Sequence, residues 1–308
     1  MPPSDAPRRL GVVVAGCTDV GRVRSRNEDA YLIAALAQPG EVTKGVTDIL
    51  TIPSPPACLI VADGVGGSAS GELASLLTLD TIVAQLRRQY SDGALTSVMA
   101  TGRAMLKALA NTNEAIYTHA CNHPEHYGMA TTVTLALTYD DALLVAQIGD
   151  SRAYLVHAGA ARQLTKDQSL VQRLIDIGEL TEAQAACSPR RNIILQALGS
   201  DPVVIPDLYY VTPEVGDVIL LCSDGLSNYL GPSDIAELAL SDPNMAIVCN
   251  NLIACANARG GDDNITVVTG RFEPAEDSDP LNSASPPSPV RQVSASPTLA
   301  DRVRRWLR

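Results

Sequence analysis

The sequence predicts an α+β protein in which antiparallel sheets carry helices on their outer faces. Three observations lead there. Strand-like runs arrive in adjacent pairs, as at 129–139 and 142–148, which are separated only by Asp140-Asp141. Helix-like runs also arrive in pairs, at about 70–90 with 95–120 and at 233–240 with 245–258. Strands and helices do not alternate one by one, as the βαβ units of a parallel sheet would require. No internal repeat is evident.

The elements follow in order. Residues 1–10 are Pro-rich and are expected to form a flexible N-terminus. Residues 12–15 read as the first strand. Arg8-Arg9 and the run into Val14-Ala15-Gly16-Cys17 imitate a bacterial lipoprotein signal, but Leu10 to Ala15 is six residues with a glycine inside, against about 7–15 for a signal core. Residues 21–29 are charged and turn-like and enter a second strand at 30–37. Residues 38–56 carry four prolines and no clear period, and read as a long hairpin excursion. The unbroken apolar run Cys58-Leu59-Ile60-Val61-Ala62 reads as a strand buried on both faces. In the helix that follows, Leu73, Leu76, Leu77, Val83 and Leu86 recur at helical spacing.

Beyond the 129–148 hairpin, Gly149-Asp150-Ser151-Arg152 makes a tight turn, and 153–157 resumes as strand until Gly159. Residues 166–198 are more polar, broken at Ser188-Pro189, and read as a mostly helical excursion from the sheet. A second buried strand at 217–222 ends in Ser223-Asp224-Gly225. After the second helix pair, Gly260-Gly261-Asp262-Asp263-Asn264 leads into a last strand at 265–270. Residues 273–308 turn Pro/Ser-rich and are expected to be disordered, with a basic end at Arg302-Val303-Arg304-Arg305-Trp306-Leu307-Arg308. No run approaches the roughly 18 apolar residues of a membrane span.

A net charge of −11 argues against a nucleic-acid binder and suits a protein that gathers carboxylates around divalent cations. One Phe, one Trp and nine Tyr leave the core to Val, Leu, Ile and Ala. The seven cysteines form no C-x-x-C pair, and Cys58, Cys222, Cys249 and Cys255 lie in apolar runs. That pattern fits a reducing cytosol rather than a disulfide framework, so a cytoplasmic location is expected.

Asp63 ends the buried strand and precedes Gly64-Val65-Gly66-Gly67, whose glycines allow a sharp turn and close approach to a bound group. A carboxylate at the end of a buried strand is costly unless something pairs with it. Taken alone, it reads equally as the cap of a turn. Asp29, Asp224 and Asp263 stand in comparable places, each at the edge of a β-rich stretch. Such acids can converge at one end of a sheet, where they would repel strongly unless cations neutralise them. All-oxygen ligands select hard cations such as Mg²⁺ or Mn²⁺ over Zn²⁺. Two such ions can activate a water and polarise a phosphoryl oxygen.

Seven short motifs carry a resemblance. They are Arg24-Ser-Arg-Asn-Glu28-Asp29, Asp63-Gly-Val-Gly-Gly67, Gly128-Met-Ala-Thr-Thr132, Gly149-Asp-Ser-Arg152, Leu164-Thr-Lys-Asp-Gln-Ser169, Ser223-Asp-Gly-Leu226 and Asp262-Asp-Asn264. Each is weak alone. In this order they resemble the metal-dependent serine/threonine phosphatases of the protein phosphatase 2C (PPM) family, with the spacing of its bacterial branch. The resemblance covers about residues 11–272. It implies a four-layer α-β-β-α sandwich with a flap at about 166–198 beside the active site. It implies hydrolysis of phosphoserine and phosphothreonine in proteins by water activated between two Mn²⁺ or Mg²⁺ ions. Asp63 would bridge both ions and the Gly64 carbonyl would bind one. Asp224 and Asp263 would hold the other, with Asp29 nearby, directly or through water. Arg24 would grip the substrate phosphate, a task its planar fork suits. Asp150 would help bind a weaker third ion, with Asp167 assisting. The expected partners are phosphorylated proteins and a Ser/Thr protein kinase, and the expected state is a monomer.

Each residue also has a plain structural role open to it. Arg24 can be a surface ion-pair partner, Asp150 a turn stabiliser, Asp167 the cap of the following helix and Glu28 a structural neighbour. The chain departs from the family pattern at three places. Val65 stands where some members carry a His proposed as the leaving-group acid, so that acid is unassigned. Asn228 stands where many carry an Asp, which weakens the third-ion site. Ser188 stands where a His commonly precedes the flap proline. Outside the motifs, His119, Cys121, His123 and His126 gather soft ligands in eight residues. They read either as a Zn²⁺ site or as a polar exposed loop. Two other functions compete with the enzyme: a phosphoprotein-binding pseudophosphatase, and a cation-binding structural protein.

Overall fold

The computed structural model describes residues 10–38, 42–43, 49–53, 55–65, 69–275 and 291–292. In chain order the first strands are β1 (Leu10–Asp19), β2 (Asp29–Ala35), β3 (Val42–Thr43), β4 (Ile49–Ile52) and β5 (Ala57–Val65). Two long helices follow, α1 (Ala69–Ser91) and α2 (Val98–Asn122). Then come β6 (Ala130–Thr131), β7 (Val133–Tyr139), β8 (Ala142–Ile148), β9 (Arg152–His157) and β10 (Ala160–Gln163). The short helices α3 (Leu170–Asp176) and α4 (Glu182–Ala186) precede β11 (Asp207–Val211) and β12 (Val218–Cys222). The chain continues through α5 (Asp224–Ser227), α6 (Pro232–Ala239), α7 (Met245–Arg259), β13 (Ile265–Pro274) and β14 (Arg291–Gln292).

Among the described residues the strands form two sheets, with the orders β10-β9-β12-β13-β1-β4 and β14-β11-β8-β7-β5-β2-β3, and β6 adds to the end of β5. The pairings are antiparallel throughout. Side-chain alternation then sorts each strand into two faces. In β5, Leu59 and Val61 enter the core between the sheets, with Tyr31, Ile33, Val145, Leu155, Leu221 and Val268. Cys58, Ile60 and Ala62 face the other way and pack with Leu79, Ile82, Met105 and Leu109 of α1 and α2. In β12, Ile219 and Leu221 face the inter-sheet core. Val218, Leu220 and Cys222 pack with Ile235, Val248 and Leu252 of α6 and α7. The result is the four-layer α-β-β-α sandwich expected. It explains why antiparallel strands here read as continuous apolar runs: both faces of each sheet are covered.

Several expectations need correction. Strand β5 does not stop at Asp63 but continues through Val65. Gly64 has ordinary strand conformation, and its glycine is required by closeness rather than by a turn. A Cβ there would run into the Gly71 and Glu28 carbonyl oxygens. Leu76 of α1 is exposed, so it leaves the helix's core stripe. The excursion at 166–198 is not mostly helical; α3 and α4 account for twelve of its residues. Strands β10 and β11 and the short α5 were not expected. The final strand runs on to Pro274, past the expected boundary at 272. Arg291 and Gln292, within the tail expected to be disordered, pair with Tyr210 and Tyr209 of β11. The rest of that tail, residues 1–9, residues 39–41, 44–48 and 54 of the excursion at 38–56, and residues 66–68 lie outside the described residues. No helix among the described residues is long and apolar enough to cross a membrane.

Tyr31 ties the two sheets directly. Its ring is buried against Gly16, and its hydroxyl donates to the Gly16 carbonyl across the core at 2.8 Å. Tyr31→Phe keeps the ring and strands a buried acceptor. It is expected to lower unfolding free energy by about 1–2 kcal/mol, read by urea denaturation with an unchanged m-value.

Candidate active site

At one end of the sandwich, the inner-face positions switch from apolar to polar in strand after strand. Following the alternation, they are Thr18, Asp29, Asp63, Thr134, Gln147, Asp207, Ser223 and Thr266. All except Thr18, Asp63 and Asp207 are buried to under a tenth of their surface. The cleft between the sheets therefore ends in a shell of oxygen-bearing side chains, and the candidate residues stand in it.

Asp29 and Asp63 lie directly opposite each other in the β2–β5 register. Like charges in that relation oppose strand pairing. Ser223 Oγ donates to Asp29 Oδ2 at 2.7 Å and accepts from the Thr266 amide at 3.0 Å, so it links the two sheets at this point. Burial pushes the Asp29 carboxyl well above the usual carboxylate range, and Asp224 and Asp263 add to the rise against the Ser223 and Thr266 hydrogen bonds. Asp63 is raised by burial first, then by Asp29, Asp224, Asp150 and Asp263. Asp224, at the start of α5, is raised by burial and then by Asp263. Asp63 and Asp224 are within side-chain hydrogen-bonding reach of each other.

The backbone of Asp63 is held from both sides. Its carbonyl accepts from the Thr132 amide and from Thr131 Oγ1, each at 2.8 Å, and its amide donates to Thr132 Oγ1 at 3.2 Å. Thr132 Oγ1 also bonds Ser151 Oγ at 2.7 Å. That contact joins Asp63 to the turn carrying Asp150. The turn needs glycine at Gly149, whose φ is +101° and whose Cβ would meet the Thr132 side chain. Thr134 and Gln147 donate to the Ser151 carbonyl, at 2.7 and 3.0 Å. Gln168, at the root of the 166–198 excursion, bonds the Gly149 amide and carbonyl at 3.0 and 2.9 Å. The far root returns at Leu198, paired with Thr131. The excursion thus springs from beside both Asp63 and Asp150. Asp150 is buried, and its carboxyl is raised by burial and then by Asp224 and Asp167, against Arg152.

The loop from 20 to 28 is fastened by Asn264. Its amide group donates to the Val20 and Arg26 carbonyls at 3.0 and 2.8 Å, and its oxygen accepts from the Glu28 amide at 2.8 Å. Arg24, 55% exposed on this loop, donates to Asp263 Oδ2 at 2.8 Å. Glu28 contributes its backbone, whose carbonyl accepts from Gly64 and from Ser75 Oγ. Asp167 does not cap α3; Ser169 does. Both Asp167 oxygens are taken by Arg152, at 2.7–3.1 Å. Asn228 donates to Asp224 Oδ2 at 3.2 Å, so the residue that replaces an acid supports one instead. Sequence reasoning gave no role to Ser223, Thr131, Thr132, Ser151, Gln168 or Asn264. Ser223 had a signal, shared with Thr134, Gln147 and Thr266: polar residues recurring at inner-face spacing at the same end of successive strands.

Among the described residues, no three acidic, imidazole or thiol side chains stand close enough together to hold an ion as they are. The donor chemistry nevertheless fits a hard divalent cation. Asp29, Asp63, Asp150 and Asp224 are desolvated, mutually repelling carboxyls whose raised affinity for protons marks a shortage of positive charge.

The sequence profile of the protein phosphatase 2C family matches residues 51–258. The chain belongs to this family. It groups with bacterial serine/threonine phosphatases within it. It is 33% identical over 256 residues to the serine/threonine phosphatase stp of Listeria innocua, covering 82% of this chain and 92% of that one. The crystal structure of the Mycobacterium tuberculosis serine/threonine phosphatase PstP superposes with a TM-score of 0.71 at 33% identity, over 86% of this chain and 100% of that one. The PstP catalytic domain in complex with two manganese ions superposes with a TM-score of 0.69 at 33% identity, over 86% and 99% of the two chains.

Thr132 is the residue through which the Asp63 strand and the Asp150 turn are joined. Thr132→Val keeps the shape and removes both side-chain hydrogen bonds. It is expected to cost about 1–3 kcal/mol of stability and to lower activity, while Thr132→Ser retains both, as denaturation and turnover measured together would show.

Proposed function

We propose that this chain removes phosphate from phosphoserine and phosphothreonine in proteins, using two Mn²⁺ or Mg²⁺ ions held at the polar end of the cleft. The observation that carries this reading is the direct opposition of Asp29 and Asp63, with Asp224 within reach, in a buried setting. Asp63, the Gly64 carbonyl, Asp224 and Asp263 would hold the ions, with Asp29 alongside, and Asp150 would serve a weaker third. When bound, such ions supply a Lewis acid for the phosphoryl oxygen and lower the pKa of a water. The PstP structure with two manganese ions supports the choice of metal.

The chain's own residues do the positioning. Ser223 holds one oxygen of Asp29 and so orients the other. Thr131 and Thr132 keep the Asp63 backbone from shifting as charge changes around it. Arg24 stands at the exposed rim, where its guanidinium can exchange Asp263 for a substrate phosphate. Cys222, next in sequence to the site, is a poor nucleophile, because burial pushes its thiol up to about 12. The catalytic unit would run from 11 to about 274, with 166–198 as a flap that shapes substrate choice. The setting would be a cytoplasmic monomer opposing a Ser/Thr protein kinase.

The test uses purified full-length chain stripped of metal. With Mn²⁺ restored it is expected to hydrolyse an aryl phosphate and a phosphothreonine peptide, and EDTA is expected to abolish both activities. Asp63→Ala and Asp224→Ala should each reduce turnover by roughly 100-fold or more, the scale of losing a preorganised electrostatic group, with circular dichroism unchanged. Deleting residues 276–308 should leave turnover intact. Phosphopeptide binding without any turnover would replace the enzyme with a phosphoprotein-binding module.

A further inference from the structure

Three of the chain's four histidines fall between positions 119 and 126, well apart in sequence from every acid discussed above. The structure stacks them. His119 lies in the last turn of α2, His123 is the residue that caps it, and His126 closes a single 3₁₀ turn. Successive backbone bonds keep the winding going: the His123 amide donates to the His119 carbonyl at 3.0 Å, and the His126 amide donates to the His123 carbonyl at 2.8 Å. Residues three and four apart therefore share one side. The rings of His119 and His123 are 4.1 Å apart, those of His119 and His126 5.0 Å, and those of His123 and His126 5.9 Å.

We propose that His119, His123 and His126 form a second metal site, for one borderline-soft divalent cation of the Zn²⁺ or Cu²⁺ class. His119 Nε2 and His126 Nδ1 are 2.8 Å apart and share a proton. One nitrogen of the pair donates and the other accepts, so the two face each other across the position an ion would take once that proton leaves. The third ring uses Nδ1 on the His119 carbonyl at 3.0 Å and keeps Nε2 available. As they stand, the three nitrogens do not converge. A tetrahedral ion with nitrogens at about 2.0–2.1 Å sets them about 3.3 Å apart. Replacing the shared proton by the ion thus requires His119 and His126 to part by about half an ångström, and the exposed His123 ring to swing in.

Electrostatics favours the metal-binding form. Burial, then His123 and His126, lower the pKa of His119, and a neutral imidazole is the ligand species. The Glu125 carboxylate acts on His119 in the opposite sense, which places negative charge near the trio. Cys121 is an exposed cysteine outside the set. The two sites divide metals by ligand chemistry: imidazole suits Zn²⁺ and Cu²⁺, and carboxylate suits Mg²⁺ and Mn²⁺. The histidine site is independent of the phosphatase reading, although the two are joined by structure. The Met129 amide donates to the His126 carbonyl at 3.0 Å, and β6 follows at once, pairing with Gly64 and Val65. An ion on the trio would brace the loop that delivers β6 to the Asp63 strand.

The test is electron paramagnetic resonance of one equivalent of Cu²⁺ added at neutral pH to full-length protein in excess Mg²⁺. The expected spectrum shows splitting from at least two imidazole nitrogens, and Zn²⁺ should displace the signal. His119→Gln with His126→Gln should remove the splitting. His123→Gln, an exposed change that spares the hydrogen-bonded pair, should reduce the number of coupled nitrogens by one. His157→Gln, which removes the remaining histidine, should leave the spectrum unchanged. Absence of nitrogen splitting in the wild type, its survival in the double variant, or its loss in His157→Gln would each overturn the proposal.

Discussion

Two carboxyls face each other across neighbouring strands at the polar end of a cleft between two sheets. The register that opposes Asp29 to Asp63 is the same register that brings Tyr31 opposite Val61 and Ile33 opposite Leu59 in the core. The protein cannot slide the strands by one residue to relieve the charges, because that would turn every core side chain of β2 outward. The repulsion is therefore built in by the packing. Its relief must come from protons or from cations.

The surroundings make sense as a response to that constraint. Neutral hydrogen-bonding groups hold the acids: Ser223 on Asp29, Thr131 and Thr132 on the Asp63 backbone, Asn228 on Asp224. Of the arginines, Arg152 is held one step away on Asp167, and Arg24 pairs only with Asp263 at the exposed rim. A lysine or arginine placed between Asp29 and Asp63 would stabilise the metal-free fold and occupy the position the proposed ions need. Stability given up at a site in this way is a common accompaniment of function.

Much of this was legible in the sequence. The runs at 58–62 and 218–222 announced strands covered on both faces, and the four-layer sandwich covers them. The acids stood out because a carboxylate at the end of such a run has few structural excuses. The holding residues did not stand out. Thr and Ser inside β-rich stretches read as ordinary strand formers, and Thr132 acquires its role only because Ser151 lies 2.7 Å away. Strand β10 was hidden because its residues are half exposed and polar, and β11 because a short run with two tyrosines lacks clear alternation. The excursion at 166–198 looked helical by composition, yet Gly178 and Pro189 break it into turns. Arg24 was recognised, but its partner Asp263 lies 239 positions away, a pairing that only the fold can reveal.

The fold holds these acids against their own repulsion. Unfolding free energy of the metal-free protein, followed across pH, tests it most directly. A carboxyl whose folded pKa lies above its unfolded value adds stability below the unfolded pKa and loses it as pH rises through the folded one. Asp29 moves from 3.8 to about 7 on folding, so stability in chelator should fall as pH rises through that window. The fall should be shallower in Asp29→Asn, which keeps an acceptor for Ser223. A stability that rises with pH across the window, or a slope that Asp29→Asn leaves unchanged, would contradict the claim.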